Sequence, residues 1–219
     1  MPTPGWNDFD FLLPATRKVL TRLADATWVE RFTFVGGSAL ALYLHHRLSE
    51  DIDLFTWEEQ LDQTEIIQGL EQMFPNLIFL EQTGPKQIDV RIDGVQVTFF
   101  ANNWDALQNR IPLHQNLSIA DLDLLAGMKL NTLFLRSKFR DYYDLYTLHK
   151  EQYTISRMYE IIAGLMPGMN ERLFQMALIY TDDIIDDKIE HLQPKYHISK
   201  VAIGKYFEKH ILEWMRRNG

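Results

Sequence analysis

Phe34-Val35-Gly36-Gly37-Ser38-Ala39-Leu40-Ala41-Leu42-Tyr43, followed by Ser49-Glu50-Asp51-Ile52-Asp53-Leu54-Phe55, is the stretch on which the reading of this chain turns. It predicts a short apolar strand, a Gly-Gly-Ser turn, a helix, and a second strand that carries two carboxylates. Side chains alternate along a strand, so Asp51 and Asp53 share one face and Ile52 and Leu54 the other. The apolar pair suits the buried face, which leaves the carboxylates at an edge or cleft. Two neighbouring carboxylates raise one another's pKa unless a cation sits between them. Mg2+, a hard cation that takes a few carboxylates plus phosphate oxygens and water, fits such a seat. Gly36 and Gly37 permit close backbone approach. Ser38 stands where a helix begins, so it can cap that helix, and the free N–H groups there favour an anion. Taken alone, Gly-Gly-Ser is better read as a plain turn before a capped helix. The two halves together, in this order, outline a nucleotidyl-transfer site.

Gly37-Ser38 with Asp51-Ile52-Asp53 downstream resembles the signature of the DNA polymerase β-type nucleotidyltransferase superfamily. The fuller wording, Gly36-Gly37-Ser38-Ala39-Leu40-Ala41-Leu42 with His46-Arg47-Leu48-Ser49-Glu50-Asp51-Ile52-Asp53-Leu54-Phe55, is similar to a narrower group. These are the AbiEii/AbiGii toxin-type nucleotidyltransferases, the toxin half of certain bacterial toxin–antitoxin and phage-resistance pairs. Met128-Lys129 and Arg140-Asp141-x-x-Asp144-Leu145 resemble later motifs of the same family.

The resemblance implies Mg2+-dependent transfer of a nucleotidyl group from a nucleoside triphosphate. Asp51 and Asp53 would hold the metal, and Gly36, Gly37 and Ser38 would meet the phosphates. Lys129 would offset triphosphate charge, Asp141 would act as a catalytic or Lys129-orienting acid, and Arg140 and Asp144 would support it. An RNA end as acceptor and a cognate antitoxin as partner are implied as well. One departure stands out. In the superfamily a third acid usually comes from the strand that here reads Val95-Gln96-Val97-Thr98-Phe99-Phe100, and it carries none. Asp89 would approach the site only if its own strand took the neighbouring position.

The chain has 219 residues, 46% hydrophobic and 24% charged, enough to bury a core of its own. Without cysteine, disulfides and thiolate metal sites are excluded. No signal-like N-terminus or long apolar run is evident, so a cytoplasmic protein with no membrane partner is expected. The formal net charge of −8 argues against a broad, sequence-independent grip on nucleic acid, yet leaves room for a local basic patch.

Pro14 opens a helix to about Ala26, and Arg31 to Val35 reads as the first strand. His45 and His46 lack the spacing that lets one helix face chelate a metal. Arg47 has two readings, a phosphate contact or a structural partner of Glu50 or Asp51. Asp62 caps a helix holding Ile66, Ile67, Leu70 and Met73. Strands follow at Leu77 to Glu81, Gln87 to Ile92 and Val95 to Phe100, the last two joined by the hairpin signal Asp93-Gly94.

From Ile111-Pro112 the strand pattern is expected to stop, and Ser118 reads as the cap of a helix running to Leu133. The predicted architecture is therefore α+β. A minimal nucleotidyltransferase mixed sheet with flanking helices fills residues 1–112, and a helical bundle fills 113–219, with the nucleotide in the cleft between them. Lys129, in an apolar helix, needs a partner. A buried Lys129–Asp141 pair tying two helices together would satisfy that need without any catalytic role. Further helices are predicted from Thr154 to Met166, from Asn170 to Tyr180, and from Ser199 to Arg217. The acidic run Asp182-Asp183-Ile184-Ile185-Asp186-Asp187 reads as a solvated helix edge.

Two rival functions share these features. A small-molecule, antibiotic-type nucleotidyltransferase would use the same first motif, and the negative charge mildly favours it over an RNA enzyme. Lys86, Arg91, Arg136, Lys138 and Arg140 are the candidates for a basic rim that would favour RNA. The other rival is a non-catalytic nucleotide- or partner-binding module, which the missing acid would suit.

Overall fold

The structure, a computed structural model, describes residues 3–218 apart from 83, 137, 182, 183, 186 and 187, and only the backbone at 80–82 and 218. The acidic side chains of the 182–187 run lie outside the described residues. Two compact units are present, Met1–Leu122 and Asp123–Gly219.

The first unit is a mixed sheet with helices. Its strands are β1 (Thr33–Val35), β2 (Ile52–Thr56), β3 (Leu77–Gln82), β4 (Gln87–Ile92), β5 (Val95–Ala101), β6 (Arg110–His114) and β7 (Leu117–Ala120), in the order β3-β4-β5-β2-β1-β7-β6. Helices α1 (Pro14–Ala24), α2 (Gly36–Leu44) and α3 (Gln63–Met73) accompany it. β1 is antiparallel to β2, whereas β2–β5 and β1–β7 are parallel. Alternation along β2 and β5 sorts the two faces. Ile52, Leu54, Val97 and Phe99 are fully buried, while Asp53, Phe55, Thr98 and Phe100 lie on the more open side.

Behind the buried face, Phe32, Phe99 and Trp28 form an aromatic cluster, with the Phe32 and Phe99 rings 5.3 Å apart. Ile66 and Leu70 of α3 are buried, and Asp62 caps that helix by accepting from the Glu65 N–H at 3.0 Å.

Two expectations fail near the end of this unit. The strand pattern does not stop at Pro112, because Arg110–His114 and Leu117–Ala120 pair as an antiparallel hairpin. Ser118 is consequently not a helix cap but a strand residue, opposite Thr33 of β1. Pro112 is tolerated because β6 is an edge strand, where a missing N–H costs no ladder bond. The first strand is also shorter than expected, since residues Thr27–Arg31 form a 3-10 turn.

The second unit is helical: α4 (Leu122–Thr132), α5 (Phe139–Glu151), α6 (Ile155–Leu165), α7 (Glu171–Ile179) and α8 (Lys200–Asn218). Thr154 and Asn170 cap α6 and α7 by accepting from the Arg157 and Leu173 N–H groups. Helix α5 is buried along most of its length, and Tyr142, Tyr143, Leu145 and Leu148 anchor it in the core. Tyr159, Phe174 and Trp214 join α6, α7 and α8, with ring centroids 5.5 to 5.9 Å apart. Among the described residues no helix is long and apolar enough to cross a membrane.

Candidate active site

Register brings the first motif together. Val35, the last residue of β1, pairs with Asp53 of β2, and the chain turns straight from Val35 into α2 at Gly36. Gly36 has φ +78°, a left-handed conformation that side chains rarely adopt. A Cβ built there would stand 2.9 Å from Asp53 Cγ and closer still to Oδ2. Glycine is thus required twice, by the backbone and by the carboxylate packed on it.

Ser38 behaves differently from expectation. It sits within the first turn of α2, past the N-cap residue, which is Val35 and offers no side-chain cap. Its hydroxyl, almost fully buried, donates to the Asp51 carbonyl and lies 2.8 Å from the Ser49 hydroxyl. The physical reason is the chain reversal after α2. His45 takes φ +51°, and the segment returns so that residues 49–51 run beside the helix start.

Arg47 is buried and donates to the Leu48 carbonyl and, at 3.1 Å, to Ser49 Oγ. Thr16 of α1 holds the Glu50 carbonyl at 2.8 Å. Arg47, Ser49, Ser38 and Thr16 therefore fix the main chain that delivers Asp51. Ser49 was not singled out from sequence; its signal is the spacing Arg47-x-Ser49-x-Asp51. Gly37 follows Gly36 in the same first turn. His45 stacks on Phe11, 4.1 Å between centroids, and its Nε2 lies 2.8 Å from Asp8.

Asp89 does not reach the position that a third acid would need. β5, not β4, takes the place beside β2, so Asp89 is not on the neighbouring strand. It nevertheless shares a row with the motif, because Asp53 pairs with Thr98 and Thr98 with Asp89. Thr98 donates to Asp89 Oδ1 at 2.6 Å and Gln87 donates to Oδ2 at 2.6 Å. Among the described residues no group of three or more His, Asp or Glu is gathered tightly enough to cage a metal. Mg2+ needs no such cage: one or two carboxylates suffice when substrate phosphates and water complete its shell. The all-oxygen donors Asp51 and Asp53 fit that cation.

The second unit carries its own charged centre. Lys129 Nζ lies 3.0 Å from Asp141 Oδ1 and 2.9 Å from Asp144 Oδ2, with both carboxylates wholly buried. Arg136, about half exposed, adds a two-pronged contact to Asp141 at 2.9 and 3.2 Å. Burial pushes the Asp141 pKa up, but Lys129 and Arg136 outweigh it and hold the carboxyl below its usual range. The spacing of Asp141 and Asp144 on α5 turns both acids toward the same lysine. Arg140 lies on the same turn of α5, half-buried.

The first unit thus presents a glycine turn abutting a strand carboxylate on a mixed sheet. Residues 18–99 match the family model described as nucleotidyl transferase AbiEii toxin, type IV toxin–antitoxin system. The fold of MenT4, a nucleotidyltransferase toxin from Mycobacterium tuberculosis H37Rv, is similar. The two superpose with a TM-score of 0.54 at 14% identity, over 91% of this chain and 86% of that one. An uncharacterised protein of Aquifex aeolicus (strain VF5) is 24% identical over 213 residues, covering 91% of this chain and 95% of its own.

Proposed function

We propose that the protein transfers a nucleotidyl group from a nucleoside triphosphate to an acceptor, with Mg2+ as cofactor and an RNA end as the acceptor. The observation that carries this reading is the packing of Gly36 on the Asp53 carboxylate, with Ser38 tied to the Asp51 main chain. It joins an anion-binding helix start to a cation-binding strand at one point. Asp51 and Asp53 would hold Mg2+, which when bound neutralises phosphate charge that otherwise repels an incoming hydroxyl. The main chain at Gly36, Gly37 and Ser38 positions the phosphates. By the resemblance, Lys129 would offset charge on the leaving pyrophosphate, with Asp141 and Asp144 holding it in place. Arg140 supports that centre. A cognate antitoxin is the expected protein partner and the cytoplasm the expected compartment.

A small-molecule acceptor is the second reading, favoured by the net charge of −8. Transfer from each α-labelled nucleoside triphosphate to total RNA and to whole-cell protein separates the two, with an Asp51→Ala/Asp53→Ala variant alongside. Label on RNA that vanishes in the variant supports the proposal. Nucleotide binding without label on any macromolecule leaves the small-molecule reading.

A further inference from the structure

Helix α8 buries Ile203, Phe207, Ile211 and Trp214 in its own unit and leaves a second stripe facing outward. That stripe runs Val201, Lys205, Glu208, Leu212 and Met215. Val201, Leu212 and Met215 are 61%, 46% and 47% exposed, high for large apolar side chains. Spacings alternate between three and four residues, the repeat that keeps a seam on one side of a helix.

The order of chemistry along the seam is what points to a partner. From Val201 to Leu212 it reads, from either end, apolar, charged, charged, apolar, and the two charges are opposite. Reversing one copy against another about a two-fold axis between Tyr206 and Phe207 places Val201 opposite Leu212 and Lys205 opposite Glu208. Each contact then occurs twice, as the self-complementary patch of a two-fold dimer requires. A parallel arrangement would instead set Lys205 against Lys205 and Glu208 against Glu208. Among the described residues neither Lys205 nor Glu208 makes an ion pair, whereas their neighbours Lys209 and His210 both engage Glu213. The two central charges are therefore available to a partner.

We infer that the outward face of α8 is a homodimer seam in which two copies pack antiparallel, Val201 on Leu212 and Lys205 on Glu208 across the axis. One helix face is small beside a standard interface of about 1,600 Å2, so the dimer is concentration-dependent.

Sedimentation equilibrium of the full chain tests it, using the wild type, Lys205→Glu, Glu208→Lys and the double exchange. All substituted positions are exposed, and circular dichroism at each step confirms an unchanged fold. The wild type is expected to dimerise reversibly. Either single exchange brings like charges together across the axis and weakens association by roughly tenfold or more, and the double exchange restores it. A wild type that stays monomeric up to about 1 mM overturns the inference, as does a dimer indifferent to the single exchanges. Single exchanges that weaken association without rescue in the double overturn the antiparallel register.

Discussion

Gly36 packs directly on the carboxylate of Asp53, so that a side chain at one position and the acid at the other exclude each other. The turn and the strand are one device. Gly36→Ala must move Asp53 and also strain a backbone at φ +78°. The expected cost is about 1–3 kcal/mol of stability, with transfer lowered by at least about tenfold. Urea denaturation and a transfer assay measure the two effects separately.

Asp53→Asn keeps the size of the side chain and removes its charge. Because Asp53 lies on the more open face of β2, the fold should tolerate the change and the thermal midpoint should move by only about 2 °C. Activity should fall by about a hundredfold or more. A variant that unfolds would show the carboxylate to be structural instead.

Ser38→Ala leaves the Asp51 carbonyl without the buried hydroxyl that meets it. A loss of about 1–2 kcal/mol is expected, together with a drop in activity as the main chain before β2 relaxes. Ser38→Thr, which retains the hydroxyl, should recover part of both. Calorimetry and the transfer assay on the two variants provide the check.

The Lys129–Asp141–Asp144–Arg136 centre predicts an acid limb. Asp141 has a depressed pKa in the folded chain, so its contribution is present above its unfolded value of about 3.9 and is lost as pH falls through the folded one. Asp141→Asn strands part of a buried positive charge. It should cost about 3–5 kcal/mol at neutral pH and flatten the stability profile below about pH 4.

His149 acts in a higher window. Its Nδ1 lies 2.7 Å from the Tyr206 hydroxyl, and burial first, then the nearby His210, push its pKa down to about 4. The unfolded chain, with an imidazole pKa of about 6.5, therefore binds the proton more readily. Stability is full above that pH and declines as pH falls toward about 4. His149→Gln should remove the decline between pH 6.5 and 4, read as a thermal midpoint that no longer drops over that range.

The legible parts of the sequence were those whose signal is local. Alternation at Asp51-Ile52-Asp53-Leu54 and the Asp93-Gly94 turn describe strands by themselves, and β2 and the β4–β5 hairpin are there, although β2 begins at Ile52 and leaves Asp51 just ahead of it. So are the caps Asp62 and Asn170. Long-range pairing left no such mark. Ser118-Ile119-Ala120 reads as a helix cap because nothing nearby shows that β1 lies alongside it. Pro112 reads as a stop because edge position is a property of the whole sheet. The row Asp53–Thr98–Asp89 is invisible until register places three strands side by side. Ser38 reads as a helix cap from its neighbours alone, whereas its partners Ser49 and Asp51 come from the returning chain.

The most direct test of the account follows both ends of the donor. The wild-type protein would be incubated with Mg2+, total cellular RNA and a nucleoside triphosphate labelled at either the α or the γ phosphorus. Nucleotidyl transfer predicts α label on the RNA and γ label released as pyrophosphate, both lost in the Asp51→Ala/Asp53→Ala variant. Label from the γ position on the acceptor, with the α label left in free nucleoside diphosphate, would mean phosphoryl transfer and contradict it.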